Sequence, residues 1–422
     1  MKVFKFGGAS VKNASAVKNV GEILKSQPGS LIVVVSAMDK MTNLLEKIHA
    51  AYILEESTEV RKKEFKDFHF NIAKELFQST NKIFDQLEEL YELFEKFLKC
   101  PPHKKHDYEY DRLISFGELF STLIIEAYIK DSGIDSSWVD VRKVIKTDSQ
   151  HRRANVNWEA SAKAISIIKN QFQEGRRIVV TQGFIGSCNR SNETTTLGRE
   201  GSDYSASILA FLINAAEVCI WKDVPGMLNA DPKYFNNTVK LDLISYREAI
   251  ELSYYGASVI HPKTIKPLQN KDIPLCIKSF EEPTQPGSII QAIEDYDSDI
   301  PSYIFKPDQT LLSISPLDFS FIQEDNLSEI FQFFNEVGIR INLMQNSAIN
   351  FSIVFDTNPI LLKKLTLLLS QRYSYKFNSP LRLLTIRHYN ELIIKELTFN
   401  FNVLLTQKTR NTIRIVMKSL ES

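Results

Sequence analysis

The sequence predicts an α/β protein of three layers with a mostly parallel central sheet, followed by a ferredoxin-like second unit. Three observations carry that expectation. Short β-rich apolar runs alternate with amphipathic stretches through the first part of the chain. Two glycine turns, Gly7-Gly8 and Gly198 to Gly201, each join an apolar run to a helical one. Beyond Ser302 the rhythm changes to β-α-β-β-α-β, the order of a ferredoxin-like unit.

The elements follow in order. Val3 to Phe6 reads as a strand, Ala16 to Lys25 as an amphipathic helix and Leu31 to Val35 as a second strand. Thr42 to Lys99 contains neither Gly nor Pro and reads as helix. Within it Ile83, Leu87, Leu90, Phe94 and Phe97 recur at alternating spacings of four and three, which puts them on one helical face. This stretch, about residues 45–100, is a helical insertion or lid, or else plain core-facing helices. Trp138 to Val141 is a strand, Trp158 to Phe172 a helix, and Ile178 to Thr181, Val218 to Trp221 and Ile273 to Ile277 are further strands. Alternation of this kind implies crossover units with helices on both faces of a parallel sheet. Ligands in such sheets bind beyond the carboxyl ends of the strands, where both glycine turns fall. Pro283, Pro286, Gly287 and an acidic loop (Glu294, Asp295, Asp297, Asp299) interrupt the pattern, dividing residues 1–290 from residues 303–422. In the latter, Leu311 to Ser315, Arg340 to Met344, Asn350 to Phe355 and Leu381 to Arg387 read as strands. Leu327 to Val337 and Leu361 to Gln371 read as helices. Two further strands, near Val403 and Ile413, and a short helix near Asn390 to Lys395 are too little for a complete second unit of the same kind.

Composition narrows the chemistry. The 422 residues balance 51 basic against 51 acidic side chains, so no net field favours nucleic acid or a membrane surface. The run His103-Lys104-Lys105-His106 follows Pro101-Pro102 and reads as a solvated loop. Cys100, Cys188, Cys219 and Cys276 are scattered without a CxxC pair, which argues against zinc and disulfides and fits a reducing compartment. The chain enters its first strand without an apolar leader and has no run of bilayer length, so the expectation is a cytoplasmic protein.

The glycine turns carry the functional signal. Backbone N–H groups at a turn before a helix converge on phosphate, and the helix N-terminus adds positive partial charge. Lys5, at a strand end beside Gly7 and Gly8, is suited to the charge spread over a transferring phosphoryl group. Ser36 and Thr42 follow the second strand, with helix capping as their default role. Glu118 reads as lying near the start of an apolar helix, as an N-terminal charge or a grip for a substrate ammonium. Arg199 suits bidentate recognition of a carboxylate, and Asp203 either orients Lys5 or caps a helix. Trp221 to Gly226 and Asn229 to Lys233 form a strand and two turns, either a nucleotide-edge loop or an ordinary double turn.

Six ordered segments together resemble aspartate kinase: Lys5 to Ser10, Val34 to Ala37, Ser115 to Glu118, Thr195 to Asp203, Lys222 to Gly226 and Gly256 to Pro262. The resemblance covers about the first 290 residues. It implies the amino-acid-kinase fold with C-terminal ACT regulatory domains, in the monofunctional form without a dehydrogenase. It implies ATP- and Mg²⁺-dependent phosphorylation of the L-aspartate side-chain carboxylate, toward lysine, threonine and methionine. By resemblance, Lys5 stabilises the transition state and Asp203 organises lysine and substrate. Gly7, Gly8 and Ser10 cradle phosphate, with Ser36 at the neighbouring strand end. Thr42, Glu118 and Arg199 bind aspartate, while Lys222, Asp223, Lys233 and Ser258 fall in the nucleotide region. An amino-acid effector at the ACT region and a homodimer are the further implications. Lys222 stands where the family commonly has threonine, Leu228 for tyrosine, Lys233 for arginine and Ser258 for lysine; Ala9 and Glu200 are milder departures. The rival readings are an amino-acid kinase with another substrate and a sensor whose kinase activity is lost.

Overall fold

The computed structural model describes residues 1–257, 259–293, 300–318 and 320–420. Ser258 and the acidic loop from Glu294 to Asp299 therefore lie outside the described residues. The chain forms two compact units. One comprises Met1–Met227, Lys240–Ile250 and Val259–Tyr296; the other comprises Leu228–Val239, Glu251–Ser258 and Asp297–Ser422.

The chain begins β1 (Lys2–Phe6), α1 (Ala14–Lys25), β2 (Leu31–Val35), α2 (Met41–Ile53), α3 (Glu59–Leu76), α4 (Ile83–Lys99) and α5 (His106–Asp131). It continues through β3 (Ser136–Val139), β4 (Lys146–Thr147), α6 (Trp158–Ala164), α7 (Ser166–Gln173), β5 (Ile178–Gln182), β6 (Ile185–Cys188) and β7 (Thr194–Thr196). Next come α8 (Gly201–Ile213), β8 (Glu217–Lys222), β9 (Met227–Leu228), β10 (Lys240–Leu241), β11 (Leu243–Ser245), α9 (Tyr246–Tyr255), α10 (Pro262–Gln269), β12 (Leu275–Ser279) and β13 (Ser288–Gln291).

Eight of these strands form one sheet, in the order β11-β13-β12-β8-β1-β2-β5-β3. Every neighbouring pair is parallel except β12 with β13. From β1 the order runs one way to β2 and β5 and the other way to β8, so their carboxyl ends flank the crevice where the order reverses. β2 is buried at all five positions, as a strand covered on both faces must be. Phe4 and Phe6 point into a core with α1 and α5, while α8 packs against β1 and β2.

The α4 stripe settles into that same core: Ile83, Leu87, Phe94 and Phe97 are buried in it. Each such side chain contributes roughly 1.5–3 kcal/mol on burial, so these residues are core-facing. Leu90 lies only partly buried and Tyr91 takes the inward position. The expected helix from Trp158 to Phe172 is two helices, broken at Ile165. The strand expected to end at Val141 instead runs over Ser136–Val139, and Val141 enters a 3-10 turn.

The second unit continues with β14 (Ser302–Pro316), α11 (Glu324–Val337), β15 (Ile341–Asn346), β16 (Phe351–Asp356), α12 (Pro359–Leu369), β17 (Tyr373–Arg387), α13 (Glu391–Thr398), β18 (Phe401–Lys408) and β19 (Thr412–Ser419). Its six strands form one antiparallel sheet, β15-β16-β14-β17-β19-β18. β14 and β17 each run 15 residues, far beyond the expected Leu311 to Ser315 and Leu381 to Arg387. Pro307 and Pro380 hid those extensions, and the ladder shifts register beside them. α11 and α12 cover the β16 end over a core of Leu312, Ile314, Phe334, Ile353 and Leu365. α13 covers the β19 end with Ile393, Ile394 and Leu397. This is the expected β-α-β-β-α-β unit, extended by a second half that shares the long strands β14 and β17.

Candidate active site

α5 is the element that builds most of the site. Along its 26 residues Asp111, Ser115, Glu118 and Thr122 recur at spacings of four, three and four, all buried. They form a polar stripe down one face of the helix. Glu118 is thus mid-helix and not near a helix start. Gly117 permits the close approach: a Cβ there would lie 2.9 Å from the Ala37 Cβ. Glu118 Oε1 accepts a long bond from the Ala37 N–H at 3.4 Å. Oε2 finds no protein partner among the described residues. Burial pushes this carboxyl up to about 8, slightly offset by the Ala37 bond.

A cavity of about 490 Å³ faces this carboxyl. Lys5, Ser36, Thr42, Glu118, Arg199, Asp203 and Lys222 all line it, drawn from β1, the loop after β2, α2, α5, the β7–α8 turn, α8 and β8. Ser36 and Thr42 cap nothing: the residue before α2 is Lys40, which makes no side-chain cap, and Thr42 lies inside the helix. Asp203, in the first turn of α8, is the buried centre of an ion triad. Lys5 Nζ lies 2.6 Å from its Oδ1 and Lys222 Nζ 3.3 Å from its Oδ2. Burial alone would raise the Asp203 carboxyl, but the two ammonium groups outweigh it and hold it below its ordinary value. Two cations share one anion, leaving positive charge facing the cavity. Lys222 also donates to the Val259 carbonyl.

The remaining expected residues lie elsewhere. A Cβ on Gly7 would sit 3.4 Å from Lys5 Nζ, so this glycine lies directly beneath the ammonium. At Gly8 a Cβ would come within 2.8 Å of the Ala37 carbonyl, and the Gly8 carbonyl accepts from Asp39 N–H at 3.0 Å. The turns after β1 and β2 therefore interlock. Ser10 and Asp223 line a separate cavity of about 560 Å³ with Lys12, Asn13 and Asn19. Lys233 sits in an exposed turn of the second unit, its N–H bonded to Asp231 Oδ1 at 2.9 Å.

Residues 1–279 match the model of the amino acid kinase family. Lysine-sensitive aspartokinase 3 of Escherichia coli is 32% identical over 357 residues, covering 84% of this chain and 78% of that enzyme. The chain belongs to the amino acid kinase family, in its aspartokinase branch. Aspartokinase 2 of Arabidopsis thaliana, a chloroplastic enzyme, is also 32% identical, over 84% of this chain and 66% of its own length. The structure of E. coli aspartokinase III in complex with aspartate and ADP superposes with a TM-score of 0.81 at 28% identity, covering 99% of this chain and 96% of that one. The same enzyme in complex with lysine and aspartate gives 0.83 at 27% identity, covering 99% and 95%. No helix among the described residues is long and apolar enough to cross a membrane.

Within this aspartokinase frame, the cavity includes residues that sequence reasoning left unassigned: Tyr110, Arg152, Phe184 and Ser202. The polar stripe on α5 was a readable signal for its whole inner face. For Arg152 and Phe184 the sequence offers none, because both belong to irregular loops.

Proposed function

We propose that this chain transfers the γ-phosphoryl group of ATP to the side-chain carboxylate of L-aspartate, giving 4-phospho-L-aspartate and ADP on the route to lysine, threonine and methionine. The observation that carries the reading is a single cavity with an arginine for a carboxylate, a buried glutamate whose Oε2 has no partner among the described residues for an ammonium, and a lysine-rich triad for phosphate. An amino acid with two carboxylates and one ammonium matches that set. The attacking carboxylate oxygen is already anionic, so no general base is required. It forms a bond to phosphorus as the bond to the bridging oxygen breaks, and ADP departs. The chain's task is alignment and charge neutralisation.

In this reading Lys5 meets the charge on the transferring phosphoryl group and Asp203 holds Lys5 in place. Gly7, Gly8, Ser10 and Ser36 form the phosphate turn, Thr42, Glu118 and Arg199 bind aspartate, and Lys222, Asp223, Lys233 and Ser258 serve the nucleotide. Lys222 beside Asp203 fits a polyphosphate well. Among the described residues no cluster of three His, Cys, Asp or Glu side chains stands together to cage a metal. Mg²⁺ would enter with the nucleotide's phosphates and offset their charge. The proposal extends to residues 1–290 as the catalytic domain and 303–422 as an ACT region with a shortened second unit. It further includes an amino-acid effector there, a homodimer and a cytoplasmic setting, the last in keeping with four unbridged cysteines.

The test is aspartyl-hydroxamate formation with ATP, Mg²⁺ and L-aspartate, L-glutamate serving as control. Aspartate-dependent product is expected. Folded protein giving product with neither acid would overturn the reading in favour of a sensor.

A further inference from the structure

Arg152 stands in the left-handed backbone region, at φ 65, where a side chain costs conformational energy. Two other non-glycine residues of the same cavity, Phe184 at φ 68 and Glu200 at φ 53, share that strain. Strained backbone persists only where surrounding structure enforces it, and it concentrates at functional sites. For Arg152 the enforcing group is identifiable. Asp111, fully buried on α5, accepts the Arg152 N–H at 3.1 Å on both oxygens. It also meets His151 Nδ1 at 2.9 Å and accepts a hydrogen bond from the Thr196 hydroxyl at 2.6 Å. One buried carboxylate thus locks the Arg152 turn to β7. A Cβ on Gly198 would lie 3.2 Å from the Arg152 carbonyl, so the locked turn rests on the residue before Arg199. Two loops deliver two arginines to one cavity.

The Arg152 guanidinium lies over the Tyr110 ring at 4.0 Å, which fixes the plane of a group whose planar fork suits a carboxylate. The Tyr110 hydroxyl is itself held by Glu46 Oε1 at 2.8 Å. Among the described residues the ion pair Arg152 makes is with Asp107, at 3.3 Å, with side chains 49% and 64% exposed. A pair so exposed is weak and exchanges readily for a substrate carboxylate.

We propose that Arg152 is a substrate-binding residue that grips the non-reacting α-carboxylate of the acceptor amino acid beside Arg199, presented by the Asp111 clamp. The inference rests on the proposed phosphorylation of aspartate. It explains why a strained arginine is stacked and tethered at the cavity while its ion-pair partner stays in solvent.

The test compares the unaltered chain with Arg152→Gln and Arg152→Gly in steady-state kinetics and thermal unfolding. Both variants are expected to raise the KM for aspartate about tenfold, the loss of one charged hydrogen-bonding contact, with kcat and the KM for ATP within about twofold. Glycine relieves the left-handed backbone, so Arg152→Gly should unfold no earlier than the unaltered chain. With L-isoasparagine, whose α-carboxylate is an amide, the variants and the unaltered chain should perform alike. An unchanged KM for aspartate in both variants overturns this inference alone. A loss of kcat accompanied by early unfolding also overturns it, assigning Arg152 a structural role. Absence of aspartate turnover in the unaltered chain overturns the underlying reading and this one with it.

Discussion

The proposed acceptor end of the site and its proposed nucleotide end are built differently. Thr42, Glu118, Arg199, Lys5 and Asp203 all line one cavity, positioned by helices, a strand and the β7–α8 turn of a single unit. The residues assigned to the nucleotide are dispersed: Lys222 in that cavity, Asp223 and Ser10 in another, Lys233 in a turn of the second unit. The polar groups of the proposed acceptor pocket are thus held by contacts within the chain, a buried helix stripe and an ion triad. By the resemblance, the main departures from the family pattern fall at Lys222, Leu228, Lys233 and Ser258, in the proposed nucleotide region, with the milder Glu200 in the acceptor cavity.

The largest effect expected from breaking this arrangement is at Lys5. Lys5→Ala should lower kcat about 10³-fold, the scale of losing a preorganised transition-state charge, with the KM for aspartate within about threefold. Near-normal turnover would remove Lys5 from catalysis. Glu118→Gln comes next, raising the KM for aspartate about thirtyfold through loss of a charged bond to the ammonium. The pH profile sharpens it. Burial holds the Glu118 proton up to about 8, and only the ionised form can bind an ammonium. The KM of the unaltered chain should therefore fall as pH rises toward 8 and then level, while Glu118→Gln stays flat. A pH-independent KM in the unaltered chain would show that Glu118 does not meet the ammonium. The raised carboxyl has a second consequence, because the folded state binds its proton more tightly than the unfolded chain. Its contribution to stability is lost as pH rises from the ordinary carboxyl value to about 8, so urea titrations of Glu118→Gln should show a shallower decline.

On the nucleotide side smaller changes are expected. Lys222→Thr should raise the KM for ATP about fivefold, since Lys5 still pairs with Asp203 when the second cation is gone. An unchanged KM for ATP would confine Lys222 to its Val259 and Asp203 contacts. Ser10→Ala should raise the KM for ATP about threefold, the loss of one neutral hydroxyl from the phosphate turn, with the KM for aspartate unchanged.

How far these features were legible depended on whether the signal was local. Lys5 with Gly7 and Gly8 was readable because an apolar strand, a cation and a glycine turn are contiguous. Asp203 was readable as a residue, but its union with Lys222 required β1, β8 and α8 to meet. Glu118 was placed near a helix start because the apolar run after it dominated, whereas the stripe from Asp111 to Thr122 reveals one long helix. β14 and β17 were read short because proline interrupts each run, a local rule overridden by long-range strand pairing. Arg152 was silent in the sequence: its loop has no periodicity, and its strained backbone is imposed by Asp111, 41 residues away.

The most direct test of a preformed acceptor pocket is a calorimetric titration of L-aspartate into the protein without nucleotide, at pH 8 and at pH 6. Saturable binding is expected, tighter at pH 8, with proton release at pH 6 as Glu118 ionises against the ammonium. No heat of binding until nucleotide is added would contradict the account, since the acceptor end would then be assembled by the nucleotide and not by the fold.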